Sequence, residues 1–461
     1  MAKALLLQLV SAFLLVAAAS AHAPRTGTRV ARGGGGSSCY SRFFAFGDSI
    51  IDTGNFIHYS TAPGSVARSP YGETFFHRPT GRWSDGRLPS DFIVERLGFP
   101  YWTPYLAGKT KEDFRYGANF AVASATALNQ LLFKENHLDV NQITPYSLSV
   151  QVEWFKKVLH TLASTDHERE EIMASSLFLV GEIGYNDYNH PFFQKKTLDW
   201  VVPLVPRVIG SIGEYLEALI QLGAKTLYVP GIFPLGCVPR YLFLFRDSDA
   251  GDYDSATGCL RWLNALAELH NTLLKAKLAE LRRAHQQRGV SIVYVDYYGV
   301  VLDLIAASPR ARNGVGASAA LDACCGGPGL HNANFTVHCS EAAAVLCPDP
   351  SRYVSWDGLH FTEAAYRVMA GGMLDGPFAT PAIMSGLERV GSQYWPRYLA
   401  GKTEEDFRYG ANFAVASATA LDQQFFKKKH LDVGQITPYS LAVQISWFQN
   451  MCSPCLAPRT T

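Results

Sequence analysis

The chain has 461 residues, 48% of them apolar, and its 41 basic and 40 acidic side chains leave a formal charge of +1. That length and composition support a large core, and the charge balance excludes an electrostatic nucleic-acid binder or a strong binder of anionic membranes. Lys3, the apolar run 4–18 and Ala19-Ser20-Ala21 read as a secretory signal over residues 1–21, cleaved after Ala21 or Ala23. The run is short and wrongly flanked for a membrane span, so a retained anchor is the minor alternative. No later segment reads as a transmembrane helix, and Thr460-Thr461 follows no apolar tail of the GPI type.

The first buried strand is Phe43-Phe44-Ala45-Phe46, and it runs directly into Gly47-Asp48-Ser49-Ile50 and then Asp52-Thr53-Gly54-Asn55. A serine hydroxyl is a weak nucleophile and needs an exposed turn, a base in reach and amide donors for the developing oxyanion. Gly-Asp-Ser alone is weak evidence, since such tripeptides populate ordinary turns. Ser49 could equally cap a helix beginning at Ile50 and Ile51, and the two roles are compatible. Asp48 reads as a turn-stabilising residue.

Continuous apolar runs at 177–180, 226–229 and 291–296 read as further buried strands, and 200–222 and 261–287 read as helices. The second helix carries Leu263, Leu266, His270, Leu273 and Leu274 on one stripe and stops at Gly289. Strands separated by helices imply a parallel sheet covered on both faces, with ligands bound beyond the carboxyl ends of the strands. Ser49 and the turn Gly184-Tyr185-Asn186-Asp187 both fall on that edge. Asn186 could donate to an oxyanion or be a simple loop asparagine, and Asp187 reads as structural.

Towards the end of the body, Trp356-Asp357-Gly358-Leu359-His360 offers a carboxylate and an imidazole three residues apart, suited to a general base and its orienting partner. Alone, the pair could be a helix cap near Thr362 and a surface histidine. Asn334-Phe335-Thr336 is a glycosylation sequon in a loop-like stretch. Of nine cysteines, the six of the body, Cys237, Cys259, Cys324, Cys325, Cys339 and Cys347, lack zinc-site spacing and suggest disulfides of undetermined pairing in an oxidising compartment, with at least one of the nine left over. Cys452 and Cys455 stand C-x-x-C in an irregular tail, where a redox reading has little weight. Lys427-Lys428-Lys429 reads as a solvated charge run. No metal constellation or phosphate loop stands out.

Residues 105–155 recur without a gap at 398–448, with roughly four in five identical. The second copy has no Gly-Asp-Ser before it and no Asp-x-x-His after it, so it is not a second catalytic domain. An excised piece cannot bury its apolar face alone. We therefore expect a body ending near Pro381 and an appendage over 386–461, a partial repeat of 98–155 that is poorly packed. A tandem duplication or fused gene model accounts for it, and a dimerising or swapped element is the minority alternative.

The serine turn, the Gly-Tyr-Asn-Asp turn and the Asp-x-x-His segment, in that order, resemble the plant GDSL esterase/lipase family of the SGNH hydrolase superfamily. Tyr71-Gly72-Glu73-Thr74-Phe75-Phe76 with Pro79-Thr80-Gly81-Arg82-Trp83-Ser84-Asp85-Gly86-Arg87 is similar to the segment that follows the nucleophile there. Cys347-Pro348-Asp349-Pro350-Ser351 leading to His360 is similar to its C-terminal block, and the resemblance covers residues 39–381. It implies an α/β fold, a three-layer α/β/α, flavodoxin-like parallel sheet. It also implies a secreted, cofactor-independent serine ester hydrolase acting on small-molecule or lipid esters. Its triad would be Ser49, Asp357 and His360, with Asn186 and the Ser49 amide as oxyanion donors.

One block departs from the family pattern. Asn119-Phe120-Ala121-Val122-Ala123-Ser124-Ala125-Thr126 stands where the family carries a donor glycine, with Ala123-Ser124 in its place. Either could align with the donor, Ser124 being preferred, and a required positive φ would strain a side chain there. Two other readings stay open: an acyltransferase, which would share the same triad, and a catalytically impaired binding protein, favoured by the Ala123-Ser124 substitution together with the fused tail. The aromatics Tyr101, Trp102 and Tyr105 are candidates either for a substrate groove or for the core.

Overall fold

The computed structural model describes residues 40–307, 320–384, 440 and 443–444. The chain divides after Ile383 into two units, and the first of them carries the sheet and its covering helices. The signal segment 1–21, Cys39, Lys427-Lys428-Lys429, Cys452 and Cys455 lie outside the described residues, as does nearly all of 386–461.

Five parallel strands form the central sheet: β1 (Arg42–Phe46), β2 (Gly117–Asn119), β3 (Ser176–Val180), β4 (Thr226–Pro230) and β5 (Ser291–Val295), in the order β2-β1-β3-β4-β5. Four lie where continuous apolar runs predict them. The fifth, β2, is a three-residue edge of small and polar residues, Gly117-Ala118-Asn119, which carries no apolar run to reveal it. Because every crossover is parallel, each is a long connection, and the helices cover both sides of the sheet. Leu148–Leu162, Leu204–Gln221 and Arg261–Ala284 pack together as one set; Pro89–Leu97, Tyr297–Ala307 and Glu363–Leu374 form the other. The result is the three-layer α/β/α architecture.

β1 shows why such strands lack polar alternation. Phe44 and Phe46 point to one face and meet Phe120, Phe155 and Phe178, while Phe43 points to the other and meets Trp102 at 4.5 Å. All three phenylalanines of β1 are fully buried, each contributing about 2–3 kcal/mol of transfer free energy. The helix predicted over 200–222 is two pieces, Leu198–Val201 and Leu204–Gln221, because Pro203 occupies the junction as N-cap of the longer one. The helix predicted over 261–287 ends at Ala284, followed by a short 3-10 turn and by Gly289 at φ 65. Leu263, Leu266, His270 and Leu274 of its stripe are buried, and Leu273 is half-buried.

Among the described residues three disulfides lie in the loops: Cys237–Cys259, Cys324–Cys347 and Cys325–Cys339. The adjacent pair Cys324-Cys325 thus closes two loops at once, beside the buried Trp356. Among the described residues no helix is long and apolar enough to cross a membrane, and no cluster of side chains could hold a metal ion.

Candidate active site

Four loops leaving the carboxyl ends of β1, β2, β3 and the C-terminal segment converge on one cavity of about 510 Å³. β1 delivers Ser49. Gly47 must be glycine, because a Cβ there would stand 2.7 Å from the Glu182 carbonyl oxygen. Gln151, fully buried, holds this peptide from both sides: Gly47 N–H donates to Oε1 and Nε2 donates to the Gly47 carbonyl, each at 2.8 Å. Asp48 folds the turn by accepting from Ile50 N–H at 3.0 Å. No helix starts at Ser49. The chain makes a turn, with Ile51 N–H reaching the Asp48 carbonyl, and the next helix begins at Asn55. Four amides on Asp52 explain the delay: Gly54 and Asn55 donate to Oδ1, Phe56 and Ala123 to Oδ2.

The C-terminal segment supplies Asp357 and His360. Ser49 Oγ lies 2.8 Å from His360 Nε2, and His360 Nδ1 lies 2.7 Å from Asp357 Oδ2. Burial alone would raise the Asp357 pKa. The His360 ring, its hydrogen bonds and the charge of Arg240 outweigh burial and hold the carboxyl well below the usual carboxylate range. Leu359 and His360 N–H groups donate to Asp357 Oδ1, and the Tyr71 hydroxyl donates to Oδ2. Trp83 lies against the imidazole, ring centroids 4.8 Å apart. The next helix is capped by Thr362, not by Asp357.

Asn186 and Ser124 line the same cavity. Asn186 Nδ2 donates to Asp48 Oδ2 at 2.8 Å and to the Ala125 carbonyl at 3.1 Å, so both amide protons are engaged. Asp187 turns away and accepts from Ala127 and Leu128 N–H, bracing the loop after β2. In that loop Ala123 N–H is taken by Asp52, whereas the N–H groups of Ser124 and Ser49 have no acceptor among the described residues. Ser124 holds φ 69, the left-handed region that favours glycine. Its hydroxyl donates to the Gln142 carbonyl and lies 3.2 Å from His190 Nε2. Burial pushes the His190 pKa down to about 4, against a smaller opposing contribution from the Ser124 backbone, so the ring is neutral.

Beneath the serine turn lies a carboxyl pair that sequence reading missed. Glu182 and Asp48 are both fully buried, and Glu182 Oε2 receives no N–H or hydroxyl donor. Burial raises both pKa values; the Asp48 charge adds to the rise at Glu182, whereas at Asp48 the Asp187 charge adds to it and the contact with Glu182 opposes it, the pattern expected if one proton is shared between the two carboxyls. Tyr71, Trp83, His190 and Arg240 were also not assigned to the site, since isolated aromatic and basic residues carry no periodicity. Tyr101, Trp102 and Tyr105 do not line the cavity. Trp102 packs on Phe43, Tyr105 on Trp154 and Phe120, and Tyr101 on Phe75 and Phe76 at the surface. The aromatic walls are Phe56, Tyr71, Trp83 and Phe193. Asn334 lies outside the cavity and uses its Oδ1 to accept from Thr336 and Val337 N–H.

The GDSL-like lipase/acylhydrolase family model matches residues 43–373. Sinapine esterase of Brassica napus is 45% identical over 346 residues, covering 74% of this chain and 87% of that protein. Two Arabidopsis thaliana proteins are similarly related. GDSL esterase/lipase At1g28600 is 44% identical with 74% and 86% covered, and GDSL esterase/lipase At5g45910 is 45% identical with 74% and 92% covered.

Proposed function

Since the chain belongs to the GDSL-like lipase/acylhydrolase family and is an ester hydrolase, we propose that it cleaves carboxylic esters through an acyl-enzyme at Ser49. The observation that carries this reading is the buried chain Ser49 Oγ, His360 Nε2, His360 Nδ1, Asp357 Oδ2, with links of 2.8 and 2.7 Å opening into one cavity.

In this mechanism Asp357 holds His360 with its proton on Nδ1, leaving Nε2 to take the Ser49 proton as Oγ attacks the ester carbonyl. The imidazolium then protonates the leaving alcohol. A water molecule repeats the sequence on the acyl-enzyme, and no cofactor takes part. The oxyanion is received by the Ser49 and Ser124 amides, whose lack of internal acceptors supports the role. Asn186 joins them by exchanging its bond to the Ala125 carbonyl for the oxyanion, while Asp48 keeps the other proton fixed. A left-handed Ser124 therefore takes the part of the glycine, with its hydroxyl tied back to the Gln142 carbonyl. Secretion, glycosylation at Asn334 and an appended 386–461 segment belong to the same reading, the first supported by three disulfides.

Fluorophosphonate labelling of the full chain beside Ser49→Ala tests the reading. Labelling confined to the wild type, with turnover of a simple ester, is expected. A folded wild type that takes no label would overturn it and leave a binding protein. Product analysis with and without an added alcohol separates hydrolysis from acyl transfer.

A further inference from the structure

The cavity that holds Ser49 also holds a cation that takes no part in the proton transfers of ester cleavage. Arg240 lines it, half-buried, and among the described residues its guanidinium forms no ion pair. Its side chain makes one hydrogen bond, from Nη2 to His338 Nδ1 at 2.8 Å, and Nε is buried without an acceptor. His338 does not neutralise it. Burial and the neighbouring guanidinium lower the His338 pKa against the opposing charges of Glu341 and Asp357, so the ring accepts as a neutral base.

Nor is Asp357 its partner. The guanidinium acts on Asp357 through space, but both Asp357 oxygens are already occupied by the His360 ring, two backbone amides and the Tyr71 hydroxyl. The other carboxylate lining the cavity, Asp139, is exposed and accepts from its own loop at Asn141. A positive charge in a partly desolvated pocket, with donors left over, is costly unless something negative joins it.

The side chain is also held in place. Arg240 N–H donates to the Gly358 carbonyl at 3.1 Å, within the loop that carries Asp357 and His360. Gly358 has φ 90, and a Cβ on it would come 3.0 Å from Arg240 Cγ, so the glycine lets the arginine stem lie across the loop. Three residues upstream, Cys237 is fixed to Cys259. The guanidinium is thereby set beside the catalytic loop, where a group on a bound ester can reach it.

Building on the ester-hydrolase reading, we propose that Arg240 is a specificity-determining residue for a carboxylate carried by the substrate. The preferred esters are then those of a dicarboxylic acid or of an alcohol bearing a carboxylic acid. The planar guanidinium fork pairs with a carboxylate through charge-assisted hydrogen bonds that a neutral ester cannot make.

Two matched pairs test this on the full chain: the para-nitrophenyl monoester of adipic acid against para-nitrophenyl hexanoate, and para-butyryloxybenzoate against its methyl ester. The anionic member of at least one pair should be preferred in kcat/KM. Arg240→Gln should cut that preference by roughly tenfold, and Arg240→Lys should retain part of it. The preference should also shrink as salt is raised. If Arg240 served Asp357 alone, substitution would slow both members of each pair equally, and that result overturns the proposal. So does a wild type indifferent to charge in both pairs. Fluorophosphonate labelling run alongside separates the two failures: labelled enzyme without charge preference sinks the carboxylate subsite alone, whereas unlabelled folded enzyme sinks the ester reading and the subsite with it. Should Arg240→Gln not fold, the lysine variant and the salt dependence decide.

Discussion

The Tyr71 hydroxyl donates to Asp357 Oδ2 at 2.8 Å, joining residues 286 positions apart at the back of the proposed triad. Burial, followed by the adjacent Asp357 charge, raises the Tyr71 pKa well above that of an ordinary phenol, so it remains a donor throughout the working range. Tyr71→Phe removes one hydrogen bond to a charged group, a loss of about 1.5–3 kcal/mol. We expect kcat to fall roughly tenfold with KM little changed, read by steady-state kinetics on a simple ester. An unchanged kcat would make Tyr71 a packing residue.

Ser124 is the position where a side chain occupies glycine geometry. Ser124→Gly relieves about 1–2 kcal/mol of left-handed strain while losing hydroxyl bonds of similar worth. Its melting temperature and fluorophosphonate labelling should therefore stay close to wild type. Ser124→Ala keeps the strain and loses the tie to the Gln142 carbonyl, so it should label several-fold more slowly. Equal labelling of the two variants would show that the hydroxyl tie does nothing for the amide.

The buried carboxyls predict an unusual pH dependence of stability. Burial lifts Asp52 to about 6 and Asp187 to about 7, over the opposition of the backbone amides they accept from, and it raises Asp48 and Glu182 as a pair. A carboxyl with a raised folded pKa binds more protons in the folded state. Its stabilising effect is full below the unfolded pKa near 4 and is lost as pH rises through the folded value. Asp357 and Glu363, both held low, act oppositely, and their contribution is lost on acidification below about 4. The melting temperature should therefore rise between pH 8 and pH 5 and fall below pH 4. Glu182→Gln should flatten the upper limb, and an identical slope in the variant would exclude the shared proton.

Cys324–Cys347 closes a loop across the segment that leads to the loop carrying Asp357 and His360, where Cys324 N–H bonds the Ser355 carbonyl and Cys325 N–H the Trp356 carbonyl. Replacing both Cys324 and Cys347 by serine should cost about 2–4 kcal/mol in denaturant unfolding. Ester turnover should fall further than the folded fraction does, because Asp357 and His360 lose their anchor. Parallel losses would assign the bridge to global stability alone.

Four of the five strands were legible because a strand buried on both faces is written as an unbroken apolar run. β2 was not, since Gly117-Ala118-Asn119 pairs at an edge through its backbone and small side chains. Ser49, Asp357 and His360 were readable as a set of spaced motifs, although only the fold brings Ser49 within 2.8 Å of His360. Glu182 was illegible, its carboxyl paired with a residue 134 positions earlier and embedded in a short turn. Arg240 was illegible for a different reason: what marks it is the counter-charge it lacks, and an absent partner leaves no trace in sequence. The packing of Trp102 and Tyr105 away from the cavity likewise depends on neighbours, Phe43 and Trp154, far along the chain.

Ser49 and His360 are separated by 311 positions and meet across the sheet edge. A ribosome that has finished the serine turn and most of the sheet has still not made the proposed base. With Ser49 and His360 acting as proposed, the growing chain is inert toward esters during synthesis, and truncated products carry a serine with nothing to deprotonate it. Ester cleavage by this protein therefore certifies that the domain was completed and closed, which makes turnover a sensitive assay for correct maturation.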